Sequence, residues 1–149
     1  MENTMKYVLI MISLGLLLIC CGGETDPESR TFTNPPLSDA NAWEVESTDY
    51  EYFMTIVAEI QLDGEPVCGL DNILAAFSDT QIRGVAESYE HAGCVVYNLI
   101  IYSNNLGENI SLGVYLSDED QTVACTNEIT FQAGTGLGNP DEPYLIEVL

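Results

Sequence analysis

Positive charge is nearly absent from these 149 residues: three Lys and Arg stand against 24 Asp and Glu, for a net charge of −21. A chain so acidic repels a phosphate backbone, which excludes nucleic acid as a partner. Lys6, Arg30 and Arg83 are too few to build a basic patch for anionic lipid head groups, so any membrane contact must be apolar or covalent. Histidine is scarce too. His91 is the single imidazole, which leaves acid–base and nucleophilic catalysis little to draw on. A membrane-spanning run is also lacking: Tyr7 to Ile19 is almost wholly apolar, but thirteen helical residues reach roughly 20 Å against a hydrocarbon core of about 30 Å. What remains is 46% apolar, a globular proportion in a chain of one-domain length.

The apolar run follows a short polar start with one positive charge, Lys6, and ends at Cys20, Cys21, Gly22 and Gly23. This is the layout of a cleaved signal peptide. Its end resembles the lipobox of bacterial lipoproteins, in which a Leu three places before a Cys and a small residue just before it precede transfer of lipid to the thiol. With Cys21 as acceptor, Leu18, Ile19 and Cys20 fill the three preceding places. With Cys20 as acceptor, the bulky Ile19 falls where a small residue belongs, so Cys21 is preferred and Cys20 is the second choice. Several palmitate-type acyl chains on one Cys, at roughly 0.8 kcal/mol per buried CH₂, hold a protein on its membrane.

Residues 1–20 are thus read as a lipoprotein signal peptide, 21–41 as a flexible acidic linker dense in Gly, Pro, Ser and Thr, and 42–149 as the folded domain. Glu24, Asp26 and Glu28, soon after the lipid Cys, resemble the signal that sends Bacteroidota lipoproteins to the outer face of the outer membrane.

Within the domain, apolar residues alternate at Tyr50, Tyr52, Met54, Ile56, Ala58, Ile60 and Leu62, the period of a half-buried strand, and Asp63-Gly64 supplies a tight turn. Further strands are predicted at Ile73–Phe77, Gln81–Glu87, Cys94–Tyr102, Ile110–Leu116, Val123–Phe131 and Tyr144–Leu149, with an edge strand around Trp43 and Val45. Seven or eight strands at turn spacings of ~8–12 residues, with no convincing helix, predict an all-β, antiparallel β-sandwich, Ig-like or jelly-roll-like. The segments Asp71–Phe77, Ile82–Ala86, Asn98–Tyr102, Glu108–Leu112 and Ile129–Phe131, in that order after Trp43 and Asp49–Thr55, resemble a β-sandwich module that recurs in large secreted and surface proteins of Bacteroidota. The resemblance implies an architecture and brings no catalytic residues.

Arg83, the sole basic residue of the domain, is expected in a structural ion pair with Asp71. Cys68, Cys94 and Cys125 permit one disulfide in an oxidising envelope, with three pairings open; Cys94 and Cys125 fall on inward-reading positions. His91 with Cys94 or Ser88 would be needed for hydrolysis, on spacing that carries little information. Asp118 and Asp120 are weak hard-oxygen candidates for Ca²⁺ on a hairpin tip; neither a metal nor any other cofactor is expected. Gly134–Asn139 is read as a connection needing positive φ rather than a phosphate loop. Tyr50, Tyr89, Tyr97, Tyr102 and Tyr115, where they face outward, would supply a contact surface. The expectation is a non-catalytic outer-membrane lipoprotein, surface-exposed, with a glycan or an envelope protein as partner. The alternative is an accessory structural subunit of an envelope complex, facing the periplasm.

Overall fold

The computed structural model describes residues 40–148; the targeting segment, Cys20, Cys21 and residues 21–39 of the expected linker lie outside the described residues. Two short 3₁₀ turns, Ala40–Ala42 and Ser47–Asp49, precede ten strands: β1 (Tyr52–Leu62), β2 (Glu65–Pro66), β3 (Ile73–Ser78), β4 (Gln81–Val85), β5 (Glu87–His91), β6 (Cys94–Ser103), β7 (Asn109–Leu116), β8 (Gln121–Thr130), β9 (Gly136–Leu137) and β10 (Tyr144–Val148). The protein is all-β, as its patterning predicts.

Alternation decides which way β1 faces. Met54, Ile56, Ala58 and Ile60 are buried, while the residues between them are half-buried and cover the other face. Asp63 and Gly64 both adopt positive φ, 54° and 80°, the conformation that a two-residue hairpin requires, and the chain returns along β1 as β2. β6 lies antiparallel to β1 from Tyr52↔Ser103 to Ala58↔Tyr97, and the core takes Val95, Tyr97, Leu99 and Ile101 from β6. β7 contributes Ile110, Leu112, Val114 and Leu116. Each such side chain, fully buried, contributes roughly 1.5–3 kcal/mol of transfer free energy.

The strand order is β4-β3-β7-β8-β10-β1-β6-β5, and the sheet comes close to closing on itself as a barrel. β4 and β5 run on from one another through Ala86, whose N–H donates to Leu74 O, so this one bent stretch pairs with β3 on one side and β6 on the other. The sequence pattern reads Gln81–Glu87 as a single strand; the chain bends at Ala86 because it passes between two halves of the sheet. Gly84 makes the closure possible, since a Cβ there would collide with the Ile100 carbonyl oxygen. The pairing is not purely antiparallel, because β10 and β9 both lie parallel to β1.

The outer face of β3 is apolar as well. Ala75 and Phe77 are covered by Ala40 and Trp43, whose ring meets Phe77 edge-on at 5.4 Å between centroids. Trp43 is therefore a lid residue rather than part of an edge strand, and Ala40, within the expected linker, is buried beside it against the sheet.

Candidate functional site

β8 and β10 are joined by a single register pair, Val148↔Cys125. Two residues further along β8, the Asn127 side chain takes over the role of the ladder. Its Oδ1 accepts from the Glu147 N–H at 3.0 Å, and its Nδ2 donates to the Leu145 carbonyl at 3.2 Å and the Tyr144 hydroxyl at 3.4 Å. A side chain wedged between strands holds them farther apart than a backbone ladder does, and beyond Asn127 the two strands separate.

The resulting seam is a cleft of about 370 Å³, at the small end of ligand-sized pockets. Met54, Ile129 and Leu137 give it apolar walls, and Glu128, Thr130, Gln132, Thr135 and Tyr144 supply polar groups. The connection after β8 shapes its rim. Gly134 (φ 71°) donates its N–H to Phe53 O at 2.8 Å, Thr135 Oγ1 donates to Gln132 O at 2.7 Å, and β9 then runs beside Thr55 and Ile56. Gly138, at φ 69°, passes so close to Val57 O and Tyr144 N that no Cβ would fit. The expected positive-φ connection is present at Gly134 and Gly138, and it positions Thr135, Leu137 and Tyr144 around the cleft.

A second constellation sits where β3 and β6 end and β7 begins. Arg83 is 7% exposed and pairs with Glu108, not with Asp71. Its Nη2 donates to Glu108 Oε2 at 3.2 Å, its Nη1 donates to the Tyr50 hydroxyl at 3.1 Å, and Ser78 Oγ donates to the same Oε2 at 3.0 Å. Nε and Oε1 are also 3.2 Å apart, a charge contact whose N–H is off the hydrogen-bonding line. The correction has a local cause: Phe77 pairs with Ile82 and Ala76 with Gly84, which leaves Arg83 as the extra residue of a β-bulge, aimed at the start of β7 while Asp71 is exposed near the start of β3. Burial alone would push the Glu108 carboxyl up, but the hydroxyls of Ser103 and Ser78 and the Arg83 guanidinium together hold it below its ordinary value. Tyr50 lies under the guanidinium at 5.3 Å and stacks on Tyr102 at 6.2 Å.

The three thiols are free in the structure. Cys125 is part of the core, and burial pushes its thiol up to about 12. Cys94 is half-buried and, against expectation, shares the outward parity of Asn98 and Tyr102, because Val95 and Tyr97 are the residues that enter the core. Cys68 is exposed, just beyond β2.

His91 Nε2 lies 3.2 Å from Asp141 Oδ1, and Ser88 Oγ donates to Leu70 O at 3.0 Å, so neither side chain engages the other or Cys94 in these contacts. Asp120 accepts from the Tyr115 hydroxyl at 2.8 Å and Asp118 is exposed; among the described residues no group of three or more His, Cys, Asp or Glu is placed to hold a metal ion. The five tyrosines do not make one surface. Tyr97 is fully buried, Tyr50, Tyr102 and Tyr115 are half-buried, and Tyr89 is exposed.

Among the described residues no helix is long and apolar enough to cross a membrane. No protein-family model, curated protein or solved structure matches this chain.

The cleft was missed from sequence. Tyr144, Glu128 and Gln132 belong to different strands and connections, and what brings them together is the parting of β8 from β10. Asn127, a polar side chain able both to donate and to accept, in the middle of the predicted Val123–Phe131 strand, was the available signal.

Proposed function

We propose that this protein is a lipid-anchored envelope protein, held through acylated Cys21 on the outer membrane and facing the cell exterior, whose β body binds a neutral saccharide in the β8–β10 seam without transforming it. The observation that supports the ligand class is the lining of the cleft. A sugar ring has an apolar C–H face and a rim of hydroxyls; the cleft offers Tyr144 and Leu137 to the first, and Glu128, Gln132 and Thr130 to the second. The charge of −21 favours a neutral sugar over uronic, sialic or phosphorylated ones, which the acidic body repels. The leader, the lipobox-like end and the linker composition support the anchor.

The test is calorimetric titration of the purified protein with a panel of neutral and anionic oligosaccharides. Binding of neutral members is expected, weakened at least about tenfold (~1.4 kcal/mol) by Tyr144→Ala and by Gln132→Ala. Absence of binding by every neutral member, or binding untouched by both substitutions, would overturn the assignment.

A further inference from the structure

Beyond saccharide binding, the end of β6 farthest from Arg83 carries a pair of cysteines whose surroundings fix their relation. Past the Asp63-Gly64 turn the chain runs back along β1, with Pro66 opposite Gln61 and the Val67 N–H donating to Ile60 O at 2.9 Å. On the same edge of β1, the β6 ladder stops at Ala58↔Tyr97. The residues after Val67 therefore meet the first residues of β6. Two hydrogen bonds seat them there: the Tyr97 hydroxyl donates to Gly69 O at 3.1 Å, and Ser88 Oγ, from the neighbouring β5, donates to Leu70 O at 3.0 Å. This arrangement sets Cys68, between Val67 and Gly69, against Cys94, the first residue of β6. Cys125 points into the core from β8, and β10 and β1 lie between β8 and β2 in the sheet, at ~4.8 Å per strand.

We propose that Cys68 and Cys94 are the disulfide-forming pair of this protein, closed by exchange with a small-molecule or protein disulfide, and that Cys125 takes no part. The exposed Cys68 reacts first. Its thiolate attacks one sulfur of the external disulfide, forming a mixed disulfide and releasing one thiolate. Cys94, having lost its proton to solvent, then attacks the Cys68 sulfur and expels the second thiolate. In sum, two protein thiols and one external disulfide give one protein disulfide and two external thiols; the protein loses two electrons, which the external disulfide gains. Burial, the adjoining Cys68 and the Glu59 carboxylate all push the Cys94 thiol up, which suits it to the second step rather than the first. The bond ties the connection between β2 and β3 to the β5–β6 hairpin.

The chain offers a direct readout. Trypsin can cut after Lys6, Arg30 and Arg83, and Arg83 lies between the two cysteines. The purified full chain is reduced, freed of reductant, incubated folded with oxidised glutathione, alkylated, then denatured and digested. The fragment from 31 to 83, whose one cysteine is Cys68, is expected to stay joined to the fragment from 84 onward until reductant is added. Cys125→Ser is expected to leave that joining intact, and Cys94→Ser to abolish it while Cys68 is recovered as its glutathione adduct. Recovery of Cys68 and Cys94 both alkylated from the unsubstituted protein, or joining that is lost in Cys125→Ser and kept in Cys94→Ser, would overturn the proposal. Because the oxidant is supplied in the tube, failure here would leave the envelope assignment untouched, and failure of that assignment would leave this result standing.

Discussion

Replacing Glu108 by Gln keeps the shape of the side chain and removes its charge, while Arg83, 7% exposed, stays where the bulge of β4 puts it. The Glu108 side chain is 13% exposed, so solvent screens the pair weakly and cannot replace the lost partner. Breaking one side of a buried pair costs about 3–5 kcal/mol, chiefly because the remaining charge is left uncompensated. Urea unfolding followed by circular dichroism reads this directly: with a slope of about 1–3 kcal/mol per molar, the midpoint falls by at least about 1 M. The pH dependence has a definite sign. Glu108 is held below its ordinary value of 4.5, so the folded state binds its proton more weakly than the unfolded state. Its stabilisation is therefore complete above that ordinary value and drains away as the pH falls through the depressed folded value, and the gap between parent and Glu108→Gln narrows in acid. Substituting both residues, Arg83→Met with Glu108→Gln, removes the stranded charge and recovers part of the loss, so the two single effects do not add. A loss below about 1 kcal/mol, or strict additivity, would show that water reaches the pair and would refute this reasoning.

Three further outcomes follow from the packing. Gly84→Ala forces a Cβ onto the Ile100 carbonyl where β4 approaches β6, and is expected to cost at least about 2 kcal/mol in urea unfolding; a neutral effect would mean that the barrel edge there yields easily. Trp43→Ala uncovers Phe77 and the outer face of β3, at about 3–5 kcal/mol by the same measurement, and a loss under about 1 kcal/mol would show that the N-terminal turn rests on the sheet without bracing it. Cys125→Ser buries a hydroxyl at a core position and should lower stability by about 1–3 kcal/mol, whereas Cys68→Ser, at an exposed position, should leave the reduced protein within about 0.5 kcal/mol of the parent.

The strands were legible where one face meets the core and the other does not. Period two marks β1 across its length, and Asp63-Gly64 announces its turn. Legibility fails where a residue answers to two neighbours at once. Gln81–Glu87 reads as one strand because both halves are strand; the bend at Ala86 comes from having to pair with β3 and then β6, which local alternation does not encode. The same holds for Arg83. Its burial and need for a partner could be read from its being the one cation among strands, but the bulge that turns it toward Glu108 depends on the register between β3 and β4. Trp43 reads as strand and serves as a lid. The cleft was the least visible, since it is made by a pairing that stops after one residue pair, and nothing in the periodicity of β8 or β10 distinguishes strands that zip from strands that part.

The claim on which the proposed role rests is attachment through Cys21, and intact mass spectrometry of the protein extracted with detergent from membranes of its own cells tests it most directly. A chain that starts at Cys21 and carries the added mass of fatty acyl groups is the predicted result. A chain that starts elsewhere, or one that starts at Cys21 with an unmodified thiol, would contradict it.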